Sequence, residues 1–360
     1  SAAYALIACQ TAWLKTHYPA AFMAAVLTAD MDNTDKLVIL HDDCAQLGIN
    51  LEVPDINVSR FEFTIAGEVS ISYGLGAIKG VGQAVIENVI AEREANGAYV
   101  SLIDLCRRVD QQRLNRRVLE ALVRAGALDC LGENRATLME AIPNTLRLAE
   151  HAARASAAGQ AALFAEQDGA DDFEHLLTPI PDWNGRERLT AERESLGLYL
   201  TGHPFDDYAE HCAHFTNGPI RMLVEALPEK GQFSARKEIT VAGLVRDVRR
   251  RGGRVSIVLD DKTERLEVTL FDEVFNQFRN LIVKDAMLVV EGQLRFDEFL
   301  NAWRVTAKSV GSVDDAIEEH ARRITIQWSA DDNQRDFVGS LKEALRPFTH
   351  GRCEVCVEYA

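Results

Sequence analysis

Between Glu238 and Val310 the apolar residues recur at every second position, whereas most of the preceding chain carries them at helical spacing. A period of two belongs to strands and a period near 3.6 to helices. The two patterns cannot share one layer, so the chain divides into a helical part and a strand-rich part. Strands are expected at 239–245, 255–260, 266–271, 286–293 and 303–310, with a helix at 273–281. Three strands, a helix and two strands is the order of an OB-fold, a five-stranded Greek-key barrel. At 360 residues two or three domains are expected. The fold class is therefore multidomain: an all-α region, an OB-fold barrel, and an α+β tail.

The helical part begins with Ala- and Leu-rich helix over 1–29, broken once at Tyr18-Pro19. A second helix spans 35–46, capped by Asn33 or Thr34 and closed by Gly48. Phe61, Phe63 and Ile65 alternate, as do Val69, Ile71 and Tyr73, which predicts a small β-hairpin around Ala66-Gly67-Glu68. Helices then follow from Gln83, from Ser101 or Asp104, over 114–125 closed by Gly126, and over 134–158 with an interruption at Pro143. An irregular acidic stretch runs to Asp182, and 187–194 is helical again. After the barrel, a helix at 314–322 leads to strand 324–328, helix 335–345 and strand 353–359. That β-α-β tail is expected to be cut short. The expected division is 1–60, 61–163, 164–230, 231–312 and 313–360.

One turn in the helical part has chemical content. Lys79-Gly80-Val81-Gly82 opens the helix at Gln83. Glycines let a backbone turn through positive φ and approach another surface closely. A helix N-terminus offers free N–H groups and partial positive charge, which suits a phosphate. With Lys79, the element reads as the hairpin of a helix-hairpin-helix holding nucleic-acid backbone. A tight turn between two packed helices would use the same residues. The 122–128 stretch resembles a second, degenerate hairpin turn around Gly126, which makes the motif tandem.

The net charge of −16 argues against a chain wholly devoted to coating nucleic acid. Two basic islands stand out nonetheless. Six arginines lie between Arg107 and Arg124, among them Arg113, Arg116 and Arg117. Five lie between Arg246 and Arg254, including Arg249, Arg250 and Arg251 in an expected loop at 249–253 between the first two barrel strands. In OB-folds that loop and the neighbouring strand face carry oligonucleotides. Phe271, Phe296, Phe299 and Trp303 could stack on bases or fill the barrel, with Phe296 and Phe299 expected to be partly exposed. Solvated, paired faces are the alternative for both islands.

Other chemistry is weakly signalled. The seven cysteines are scattered, which fits a reducing compartment. Cys353 and Cys356 have metal or redox spacing but no companion pair, and are expected to pack in a strand. Asp30 and Asp32 have the spacing of a two-metal site without a third carboxylate, and read as loop and cap residues. No catalytic or metal-binding residue is assigned. No segment is long and apolar enough to span a membrane, and no signal peptide is seen. Gln160, Leu163 and Phe164 place an apolar pair at a helix end facing an acidic loop. Docking onto a partner, or onto the chain's own surface, would bury it.

Longer stretches carry a resemblance. Thr16-His17-Tyr18-Pro19-Ala20-Ala21-Phe22, Tyr73-Gly74-Leu75-Gly76-Ala77-Ile78-Lys79-Gly80-Val81-Gly82, Leu114-Asn115-Arg116-Arg117 and Glu194-Ser195-Leu196-Gly197-Leu198-Tyr199-Leu200-Thr201-Gly202-His203-Pro204 resemble the bacterial replicative DNA polymerases of family C, the polymerase III alpha subunits. The strand Arg265–Phe271 continues the match. The resemblance implies that 1–60 ends a fingers domain and that Lys79–Gly82 and the helices after it hold duplex DNA leaving an active site. It implies that Gln160, Leu163 and Phe164 bind the sliding clamp, that the barrel lies near single-stranded template, and that the tail meets the clamp-loader tau subunit and other replicase subunits. The family's catalytic aspartates and their Mg²⁺ belong to a palm domain expected upstream. The chain alone is then a cofactor-free fragment that does not polymerise, and its parent is a cytoplasmic, nucleoid-associated DNA-directed DNA polymerase. A stand-alone DNA-binding module and the error-prone paralogue of the same family are the alternatives.

Overall fold

The structure, a computed structural model, describes residues 2–110, 113–157, 178–225, 237–251, 254–297, 302–328, 337–348, 350–351 and 353–359. The chain forms two compact units, Ser1–His203 and Pro204–Ala360.

In the first unit, α1 (Ala2–His17) and α2 (Pro19–Ala29) meet at Tyr18, with Pro19 at the first helical position. A proline there sacrifices no intrahelical bond. Asn33 caps α3 (Thr34–Gln46) by accepting from the Lys36 N–H at 3.2 Å. The expected hairpin is present as β2 (Thr64–Gly67) and β3 (Ser70–Ser72). It gains a third strand that the sequence reading missed, β1 (Asn50–Glu52), parallel to β3. Phe63 and Tyr73 pack edge to face beneath it, 4.8 Å apart.

Helices α4 (Gln83–Asn96), α5 (Leu102–Arg108), α6 (Arg116–Ala125), α7 (Arg135–Ala157) and α8 (Gly185–Leu196) follow. Ser101 caps α5 and Asn115 caps α6. Asn184 and Glu187 form a reciprocal capping box on α8. The expected break at Pro143 does not occur, because α7 runs straight through it. Leu138, Ala141, Ile142, Thr145 and Ala149 are buried while Pro143 is exposed. The lost N–H and the ring crowding therefore fall on the solvent side, and the buried stripe holds the helix together.

The second unit contains α9 (Asp206–Cys212) and α10 (Ile220–Glu225) ahead of a closed barrel. The barrel strands are β4 (Lys237–Arg251), β5 (Arg254–Asp260), β6 (Arg265–Phe271), β7 (Met287–Asp297) and β8 (Ala302–Ser312), in the order β4-β5-β6-β8-β7. Helix α11 (Asp272–Phe278) sits between β6 and β7, and β6 closes on β8 in parallel. This is the OB-fold that the sequence predicts. Val241, Ile257, Val268, Val290 and Val305 fill it, each fully buried.

β4 departs from expectation. It does not stop at Val245 before a basic loop. It continues through Arg251, pairing with β7 over its first half and with β5 over its second. The arginines interrupt the apolar alternation without interrupting the hydrogen-bond ladder. After the barrel, α12 (Val313–His320) leads to the expected β-α-β: β9 (Arg323–Trp328), α13 (Phe337–Leu345) and β10 (Glu354–Tyr359), with β9 and β10 parallel. Among the described residues no helix is long and apolar enough to cross a membrane.

Candidate nucleic-acid interface

The 79–82 turn is built from a buried plug and an open rim. Val81 is 9% exposed and fills the core beneath the turn, while Lys79, Gly80 and Gly82 lie on the surface. Gly80 carries the positive φ, +84°. Gly82 adopts extended backbone instead and is the N-cap of α4, with no side chain capping the helix. The expectation of positive φ at the turn therefore holds at Gly80 only. Val81 N–H is spent on the Ile78 carbonyl and Lys79 N–H on the Ser195 carbonyl. Among the described residues, the N–H groups of Gly80, Gly82, Gln83 and Ala84 have no backbone acceptor. Unspent N–H groups at and just ahead of a helix start without a side-chain cap are the kind of donors that can hold an anion.

Two arginines, Arg113 ahead of α6 and Arg117 in its first turn, close on this rim. Arg117 Nε lies 3.7 Å from where a Cβ on Gly80 would stand. Arg113 reaches the first turn of α4 and donates to the Ala84 carbonyl at 3.4 Å, while pairing with Asp110 at 3.4 Å. Both side chains are exposed. Arg116 points along α6 and bonds Glu120 at 2.7 Å. Arg124 approaches the same carboxylate at 3.5 Å. The Arg116 hydrogen bond holds the Glu120 carboxyl below the usual carboxylate range. So Arg113 and Arg117 converge on the turn, whereas Arg116 is engaged with Glu120. Lys79 leans toward α8, its Nζ 3.1 Å from where a Cβ on Gly197 would stand.

The second turn is closed. Gly126 has φ +81° and ends α6, but Gly126, Ala127 and Leu128 are all buried. Ala127 offers its carbonyl to the Ile56 N–H at 2.8 Å. Arg135 presses against the missing side chain of Gly126: a Cβ there would overlap its Nη2. Arg135 is 2% exposed. Its Nε and Nη2 grip Asp129 at 2.9 and 2.7 Å, and its Nη1 donates to Glu192 at 3.1 Å. Glu192 is 0% exposed. It also accepts the Leu200 and Thr201 N–H groups at 3.1 Å and the Thr201 hydroxyl at 2.8 Å. Burial works against the Arg135 charge, but its bonds to Asp129 and Glu192 outweigh it and its pKa is raised. The sequence reading had no signal for this network.

In the barrel, strand register sorts the second arginine island. Arg249 pairs with Ser256, Ser256 with Thr269, and Thr269 with Thr306, so one row of a single face runs from a cation across three hydroxyls. In the next row Arg254 pairs with Phe271 and lies over its ring at 5.8 Å. Phe271 is 44% exposed, so it can stack on a base. Arg250 faces the other way, over Phe275 of α11 at 5.5 Å. The expected basic loop is thus a strand end whose arginines divide between two faces. Trp303 is half-buried against the barrel core. Phe299, the Phe296 side chain and the Arg251 side chain fall outside what the structure describes, as do Gln160, Leu163 and Phe164.

Asp30 ends α2 and pairs with Lys36 at 2.5 Å. Among the described residues no cluster of His, Cys, Asp and Glu is placed to hold a metal ion.

Comparison with known proteins agrees with this layout. A helix-hairpin-helix motif family matches residues 48–138, and an OB-fold nucleic acid binding domain family matches residues 239–310. DNA polymerase III subunit alpha of Pasteurella multocida (strain Pm70) is 40% identical over 366 aligned residues, that of Escherichia coli (strain K12) 42% over 365, and that of Vibrio cholerae 41% over 365. Each alignment takes in 100% of this chain and 31% of the relative. Over its whole length, then, the chain is similar to about a third of DNA polymerase III subunit alpha, and it carries its own matches to a helix-hairpin-helix motif and an OB-fold.

Proposed function

We propose that this chain is the DNA-gripping part of a replicative DNA-directed DNA polymerase. The carrying observation is the open 79–84 rim flanked by Arg113 and Arg117, within a sequence similar throughout to polymerase III alpha. In this reading the first turn and α6 hold the backbone of duplex product. The barrel face bearing Arg249, Arg254, Ser256, Thr269 and Phe271 holds single-stranded template, with phosphates on the arginines and a base on Phe271. Lys79, Arg116, Arg250 and Arg251 add positive field. Mg²⁺ chemistry is assigned to a separate catalytic part of the polymerase, not to Asp30 and Asp32. Affinity for duplex DNA should fall steeply as salt rises, because phosphate contacts release counterions. Fluorescence anisotropy across a salt series checks this, and salt-independent or absent binding would refute the reading.

A tether completes the proposal. Gln160, Leu163 and Phe164 form a peptide for the sliding clamp, Gln160 bonding its backbone and the apolar pair filling its pockets. The tail is assigned to the clamp-loader tau subunit. Tethering raises the effective concentration of DNA at the grip, so even a weak peptide extends processive synthesis. Replacing Leu163 and Phe164 together with Ala should abolish clamp capture on a sensor surface while leaving duplex affinity unchanged. Retained capture would rule the peptide out.

A further inference from the structure

The two turns of the tandem motif are built for opposite ends. The first is uncapped, surface-exposed and leaves four N–H groups without a backbone acceptor among the described residues. The second is buried, with its Gly126, Ala127 and Asp129 N–H groups all spent on neighbouring carbonyls. The helix after it is closed as well: Asn134 caps the Thr137 N–H at 2.8 Å and donates to the Ile180 carbonyl at 2.8 Å. Ile180 in turn donates to the Thr137 hydroxyl, so the 180 segment lies across the start of α7.

Resting on the DNA reading above, we infer that only the first turn touches DNA backbone, and that the second turn is an internal anchor that positions it. The connection is traceable bond by bond. Arg135 stacks on Gly126 and donates to Glu192 on α8. Three residues further along α8, the Ser195 carbonyl accepts the Lys79 N–H at 2.8 Å, and the Leu196 carbonyl accepts the Tyr73 hydroxyl at 3.5 Å. α8 lies outside the matched motif region, yet it joins the closed turn to the open one. Glu192 and Arg135 are positioning residues here, and the cation beside the second turn is buried and turned toward Asp129 and Glu192.

Charge placed at each turn distinguishes the roles. Ala84→Glu adds a carboxylate to the rim of the first turn, at an exposed site where an acid favours the helix start. Glu133→Lys adds positive charge beside the second turn. Both are made in the full chain and titrated against a blunt-ended fluorescent duplex at fixed salt. Ala84→Glu is expected to weaken binding more than about fivefold, and Glu133→Lys to change it by less. A fivefold or greater gain from Glu133→Lys would overturn the inference, as would a smaller loss from Ala84→Glu. No duplex binding by the unmodified chain would instead sink the DNA reading, and this inference with it.

Discussion

Replacing Glu192 by Ala is expected to cost the helical unit about 3–4 kcal/mol, toward the lower end of what breaking a buried ion pair costs. The carboxylate is fully buried and takes four hydrogen bonds, from Arg135, the Leu200 and Thr201 N–H groups and the Thr201 hydroxyl. Its removal leaves two backbone donors without an acceptor and takes one counter-charge from a buried guanidinium. Asp129 still holds Arg135 through two nitrogens, which keeps the loss from reaching the upper end. Glu192→Gln retains the volume and one acceptor oxygen, so about half the loss is expected. In the folded chain the cost should appear as a fall in the urea midpoint and as faster amide exchange across α7 and α8. A loss below about 1 kcal/mol for the Ala variant, the size of an ordinary surface hydrogen bond, would show that the network contributes little.

The contrast between what the sequence showed and what it hid follows from the range of the interactions. Caps are local, so Asn33 and Ser101 announced their helices within three residues of the N–H groups they serve, whereas Asn115, expected inside a helix over 114–125, is the cap of α6. The first turn was legible for the same reason: Gly80, Val81 and Gly82 are contiguous, although its tie to α8 through the Lys79 N–H and the Ser195 carbonyl was not. The barrel was legible because its core alternates through five strands. β4 ran longer than expected because ladder pairing with β5 carries it past the last apolar residue, and Arg249–Arg251 look like loop only until the partner strand is known. Pro143 misled because solvent exposure of a single position is set by packing, not by the residue. The Arg135–Glu192 pair spans 57 positions, and nothing in either residue's neighbourhood distinguishes it from a surface arginine or glutamate on a helix. That pair decides that the second glycine turn is closed, so the resemblance to a hairpin was visible and its altered role was not.

Replacing Arg113 and Arg117 together with Ala should weaken duplex binding roughly 10–100-fold at physiological salt. Arg117 stands over Gly80 and Arg113 against Ala84, so the proposed phosphate on this rim has a guanidinium at each end. A charge-assisted hydrogen bond of that kind contributes about 1.5–3 kcal/mol when formed, and solvent screening at these exposed positions brings the pair below the simple sum, to about 1.4–2.7 kcal/mol. The salt dependence gives an independent reading: losing two phosphate contacts should flatten the slope of log affinity against log salt by about 2. Unfolding would not mimic this, because both side chains are exposed and Arg113 forfeits only a 3.4 Å contact and a 3.4 Å ion pair. Glu120 supplies the opposite arm. It now occupies Arg116 and approaches Arg124 on the same helix, so Glu120→Gln should release both cations, tighten duplex binding severalfold and steepen the salt slope. A double arginine variant with an unchanged slope would mean that the phosphates are held elsewhere on the chain. A Glu120→Gln variant with no gain would mean that the exposed face of α6 stays clear of the duplex, confining the contact to the rim where Arg117 meets Gly80.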